Sequence, residues 1–126
     1  MKGYCVDSDI LIDYLRGQNK AREFLLSASK EQALWISIVS VVEIFSGKET
    51  ADTKKRAQIE AFLGNFSVIG LSYEIAKRAG ELRRDYGRPF ADMIIAASVL
   101  EFDLSLVTRN AKHFDKLKDL NTTKPY

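Results

Sequence analysis

The stretch YCVDSDILIDYL, residues 4–15, decides how the chain is read as a fold. Tyr4, Cys5 and Val6 are an apolar triplet of strand type, within an expected strand GYCVD at 3–7. From Ser8 the spacing becomes helical. Ile10, Leu11, Tyr14 and Leu15 share one face, Asp9, Asp13 and Arg16 share another, and Gly17 marks the stop. The same run raises a chemical question. Asp7, Asp9 and Asp13 interrupt residues suited to burial, and carboxylates enter a core only when something compensates them.

The alternation continues along the chain. ALWIS (33–37), residues 66–69 and LSLVT (104–108) read as further strands. Helices are expected at about 19–28, starting within SVVEIFSG (40–47), at 50–65, and at 73–86, where Gly87-Arg88-Pro89 breaks the pattern. FADMIIAASVLE (90–101) is apolar on nearly every side apart from Asp92 and Glu101, which predicts a central buried helix. A short helix from about Asn110 and a polar C-terminus complete the reading. Short strands spaced by helices imply an α/β fold, a parallel sheet with helices on both faces. Ligands bind such sheets outside the carboxyl ends of the strands, where Asp7, Ser37 to Glu43, and Thr108 to Asn110 all fall.

With 126 residues, 46% of them hydrophobic and 29% charged, the chain reads as one globular domain over residues 1–126. A net charge of +2 excludes a uniformly basic nucleic-acid coat but permits local patches. Two are visible: KRAGELRRDYGR (77–88), and Arg109 with Lys112, Lys116 and Lys118. The single cysteine, Cys5, reads as a buried small hydrophobe and fits a reducing compartment. The N-terminus carries one lysine before Asp7, unlike a secretory leader, and the uncharged run Gln32 to Val42 is too short for a bilayer span of about 20 residues. The expectation is a cytoplasmic protein without a membrane segment.

Each acid has a structural reading beside a chemical one. Asp7, between strand and helix, suits a helix cap as well as a ligand. Asp9, in the first helical turn, is placed to support Asp7, whereas Asp13 is expected in solvent beside Arg16. Glu43 fits a capping box with Ser40, and equally a side chain directed into a strand-end cavity. Asp92 is the sharpest signal. Helix-dipole stabilisation of about 0.3–1 kcal/mol is small beside the several kcal/mol of burying an uncompensated charge. If Asp7, Glu43 and Asp92 converge, their repulsion raises at least one pKa, and Mg²⁺ or Mn²⁺ is the natural partner. Zinc is not indicated, since Cys5 and His113 stand far apart in sequence, and His113 reads as a surface residue.

The motifs Asp7-Ser8-x-x-Leu11-Ile12-Asp13, Ser40-x-x-Glu43, ADMIIAASVL around Asp92, and LVTRNAKHF (106–114) together resemble PIN domains of the VapC toxin type. They occur in the family order over residues 3 to about 115. The resemblance implies a three-layer α/β/α PIN-like fold and a metal-dependent endoribonuclease, the toxin of a toxin–antitoxin pair. It implies that Asp7 and Asp92 bind Mg²⁺ or Mn²⁺, that Glu43 is the third acid, and that Asn110 takes the fourth catalytic position, where many PIN domains carry Asp. Ser8, Asp9 and Thr108 would orient these groups, and Arg109 would contact RNA or an antitoxin that blocks the site. Hydrolysis would use a water whose pKa the metal lowers, with no nucleophilic side chain. A homodimer is also implied.

Three other readings fit parts of the pattern. VDSD resembles the D-x-D of aspartate-nucleophile phosphatases, but no lysine sits at a convincing strand end. A phospho-receiver domain shares the length and alternation, yet Ser/Glu and Thr-Arg stand where it needs Asp and Lys. A PIN-fold binding protein with weak or absent catalysis follows from Asn110.

Overall fold

A computed structural model describes residues 3–126; residues 1 and 2, including the N-terminal lysine read above, lie outside the described residues. The strands are β1 (Tyr4–Val6), β2 (Leu34–Ser37), β3 (Ser67–Ile69), β4 (Ser105–Val107) and β5 (Thr122–Thr123). The helices are α1 (Ser8–Leu15), α2 (Asn19–Glu31), α3 (Ile38–Phe45), α4 (Thr53–Leu63), α5 (Tyr73–Tyr86) and α6 (Phe90–Glu101), with 3-10 turns at Lys48–Ala51 and Ala111–His113. All strand pairs are parallel, in the order β3-β2-β1-β4-β5.

Period-two alternation on these short strands divides the core into two layers. Cys5 and Leu106 point to one face, where they pack with Ile75 and Ala79 of α5 and Met93, Ile95 and Val99 of α6. Val6, Ile36 and Val107 point to the other, against Ile10 and Leu11 of α1, Leu25 of α2, Ile44 of α3, and Ile59 and Leu63 of α4. The result is the three-layer α/β/α arrangement expected. Helix α6 is the central buried helix, with every residue from Met93 to Val99 buried. At roughly 1.5–3 kcal/mol per large apolar side chain, it is a main source of core stability. No helix among the described residues is long and apolar enough to cross a membrane.

Several boundaries differ from expectation. Helix α2 runs on to Glu31 because Ala28 lies on its buried face with Ala21 and Leu25. The expected helix at 50–65 divides at Asp52, which caps α4 by accepting from the Lys54 and Lys55 amides. The C-terminal segment is not simply polar. Leu117 and Leu120 are buried, and β5 pairs Leu106 with Thr122.

The strand order places the site. After β1 the chain builds outward through β2 and β3, then crosses back to lay β4 on the other side of β1. The reversal between β1 and β4 is a switch point, where loops diverge and leave a crevice at the strand ends. Asp7 follows β1 there, and Thr108 to Asn110 follow β4.

Candidate active site

Asp7 leaves β1 in extended conformation and caps α1, its side chain accepting from the Ser8 amide at 2.8 Å. Its other carboxylate oxygen accepts from the Thr108 hydroxyl at 2.8 Å, across the β1–β4 crevice. The capping reading of Asp7 is thus met, and the same side chain also reaches across the crevice. Asp7 is only 8% exposed. Burial, then the charge of Asp9, pushes its carboxyl up to about 6 against the hydrogen bonds from Thr108 and Ser8, with a smaller upward push from Asp92.

Glu43 is not part of a capping box. Helix α3 begins at Ile38, capped by Ser37, whose hydroxyl accepts from the Val39 amide at 3.1 Å. Ser40 is therefore already inside the helix and buried. Its hydroxyl lies 2.8 Å from that of Ser8, which in turn lies 2.6 Å from Glu43 Oε1. A serine has one hydroxyl proton and an ionised carboxylate only accepts, so Ser8 donates to Glu43. Ser8 thus ties the start of α1 to α3 and aims an otherwise exposed acid.

Asp92 sits in the uncapped first turn of α6, after Pro89. Burial raises its pKa, opposed by His113 and reinforced by Glu43. His113 Nδ1 stands 3.3 Å from Asp92 Oδ2. The expectation of His113 as a surface residue is right about exposure but missed this contact; the one histidine, just after the β4 loop, was the available signal. Arg88 and Asp115, 3.4 Å apart, bind the same two segments together.

The rim beside Asp7 corrects another expectation. Asp13 is not in solvent with Arg16. Its carboxylate takes the Arg109 guanidinium through Nε at 2.8 Å and Nη2 at 3.3 Å, and also accepts from the Tyr126 hydroxyl. The Arg109 amide donates to Asp9 at 3.0 Å, and the Asn110 side-chain amide donates to the same oxygen at 3.1 Å. The Asn110 backbone amide donates to the Thr108 hydroxyl at 2.9 Å. Asp9 therefore does reach the Asp7 neighbourhood, and Asn110 joins it through Asp9. Tyr126 escaped the sequence reading altogether.

Asp7, Asp92 and Glu43 feel one another's charge in the order given, but no group of three His, Cys, Asp or Glu side chains closes into a ready-made ion cage among the described residues. The donor chemistry still fits a hard divalent cation. Carboxylates are the available ligands, one is buried with a raised pKa, and Mg²⁺ commonly takes one or two carboxylates and completes its shell with water. Cys5 contributes nothing, since burial pushes its thiol up to about 12.

Comparison with known proteins agrees with this fold. The family model described as PIN domain matches residues 4–120. Ribonuclease VapC10 of Mycobacterium tuberculosis is 40% identical over 120 residues, 91% of this chain and 88% of that protein. The tRNA(fMet)-specific endonuclease VapC of Shigella flexneri is 27% identical, over 97% of each chain. Among solved structures, a toxin–antitoxin complex from Klebsiella pneumoniae aligns with a TM-score of 0.84 at 28% identity, covering 99% of this chain and 98% of that one. A DNA-bound VapBC structure from Salmonella typhimurium aligns with a TM-score of 0.86 at 19% identity and full coverage of both, which supports the fold. The chain belongs to the PIN-domain family, among the VapC ribonucleases.

Proposed function

We propose that this chain is a divalent-metal-dependent endoribonuclease and the toxin of a toxin–antitoxin pair. The observation that carries the metal site is Asp7: a buried carboxylate with a raised pKa, at the switch point, within charge reach of Asp92. Asp7 and Asp92 would hold Mg²⁺ or Mn²⁺, with Glu43 as the third acid. When bound, such a cation neutralises the clustered charge, polarises the phosphodiester and lowers the pKa of a water.

The chain's own residues supply the rest. Ser8 holds one oxygen of Glu43, leaving the other free to accept a proton from the attacking water. Thr108 orients Asp7, and Asp9 with Asn110 fixes the loop after β4. Asn110 cannot supply a fourth negative charge, which favours a second reading as a PIN-fold binding protein with weak catalysis. A covalent aspartyl-phosphate mechanism is disfavoured, because Arg109, not lysine, follows Thr108.

Beside Glu43 opens a cavity of about 400 Å³ with an apolar floor of Ile12, Leu15, Ile44 and Ile59 and a charged rim including Arg16 and Lys55. It suits an amphipathic antitoxin segment that ends at the acidic pocket. Exposed Leu71 and Phe90 line one apolar hollow, a surface available to a homodimer.

The purified chain should cleave RNA with Mg²⁺ or Mn²⁺ and stop when chelator is added; tRNA(fMet) belongs in the substrate panel. Cleavage that persists unchanged in Asp7→Ala or Asp92→Ala would sink the assignment.

A further inference from the structure

Arg109 is anchored far more firmly than an ordinary surface arginine. Its guanidinium makes a two-point contact with Asp13, and its backbone amide is fixed by Asp9. Exposed ion pairs are commonly weak because both side chains are free to wander. Here the Asp13 side chain is only 14% exposed, against 41% for Arg109, and Tyr126 supplies a further donor to the same carboxylate. Tyr126 itself packs against the apolar layer of α1 to α4. The carboxylate is thus held by both side chains, with Tyr126 and Arg109 Nε donating to the same oxygen.

Arginine carries five N–H donors in a planar fork. Asp13 uses two, through Nε and Nη2, which leaves Nη1 and the second Nη2 hydrogen for another acceptor. Such a fork matches the oxygens of a phosphate, and one already immobilised loses less freedom on binding. The neighbours of Arg109 set its register against the site. Thr108 contacts Asp7, and Asn110 contacts Asp9. Other basic side chains nearby differ: Arg88 is engaged with Asp115, and Lys112 and Lys116 are exposed without a comparable brace.

We propose that Asp13 and Tyr126 are positioning residues that hold Arg109 as a phosphate-binding fork at the mouth of the acidic pocket. The inference rests on the ribonuclease reading for its substrate class, and adds the residues that act through Arg109 without touching RNA.

The test uses the full chain and a fluorescently labelled single-stranded RNA oligonucleotide in chelator, so that binding is read apart from cleavage. Arg109→Ala should weaken binding about tenfold at moderate salt and reduce the slope of log K against log salt by about 0.7, the signature of one lost phosphate contact. Arg109→Lys should restore the slope but not the full affinity. Tyr126→Phe should weaken binding about threefold, as expected for one lost hydrogen bond, and raise KM in the metal-supplemented assay with kcat unchanged. Placed in the Arg109→Ala background, Tyr126→Phe should have no further effect. An unchanged salt slope in Arg109→Ala, or equal losses from Tyr126→Phe with and without Arg109, overturns the inference. If wild type binds RNA through Arg109 but does not cleave it, the nuclease reading fails and the fork stands. If it neither binds nor cleaves, both fall.

Discussion

Replacing Asp7 with Asn should stabilise the metal-free chain at neutral pH, even though it alters the centre of the site. The carboxyl is 8% exposed and is pushed up from 3.8 to about 6, first by burial and then by Asp9. Its folded pKa lies above the unfolded one, so the folded state binds the proton more tightly. The penalty is therefore absent below the unfolded pKa, grows as the pH rises from about 4 towards 6, and is complete at pH 7. At about 1.4 kcal/mol per pKa unit it amounts to roughly 3 kcal/mol. Asn keeps the oxygen that caps α1 but turns an amide towards the Thr108 hydroxyl, a loss of about 1 kcal/mol. The net gain at pH 7 is about 2 kcal/mol, or about 8 °C in Tm for a domain of this size. Urea unfolding in chelator at pH 7 and pH 3.5 measures it, and at the lower pH the variant should be slightly less stable than wild type. The same difference at both pH values would refute the buried charge. Added Mg²⁺ should then raise the Tm of wild type more than that of Asp7→Asn.

Two further outcomes follow from the same geometry. Ser8→Ala releases Glu43 from its 2.6 Å contact and should lower kcat for RNA cleavage by about tenfold while leaving RNA affinity in chelator unchanged, since a positioned general base contributes on the order of 10²–10⁴ in rate. Gly3→Ala should cost about 1–3 kcal/mol in urea unfolding, because Gly3 has φ +138° and an added Cβ would meet the Ala33 carbonyl oxygen at 2.6 Å; a loss below 0.5 kcal/mol would show that β1 and β2 can part there.

Local patterns carried the expectations that held. The change from strand to helical spacing within residues 4–15, and the unbroken apolarity of α6, each report their own burial, so the layered α/β arrangement was readable from the chain. Asp7, Glu43 and Asp92 stand out as candidates in the sequence because each is a charge set among apolar neighbours, and the structure puts Asp92 within charge reach of both others. Contacts between distant segments left no such mark. Asp13 looked solvated because its own helix offers Arg16, whereas its partners, Arg109 and Tyr126, come from the other end of the chain. The capping box at Ser40 has the right spacing, but β2 ends at Ser37, and the hydroxyl nearest the strand end takes the cap. Strand β5, two residues of threonine, is too short to show any periodicity.

The bond between Thr108 and Asp7 joins residues at opposite ends of the chain, on neighbouring strands. During synthesis Asp7 is made early and waits for β4, so the crevice that holds it is among the last parts of the molecule to come into being. Fragments ending before Thr108 carry Asp7 without the hydroxyl that holds its second oxygen. The crevice between β1 and β4 is therefore complete only in chains that have been translated almost in full.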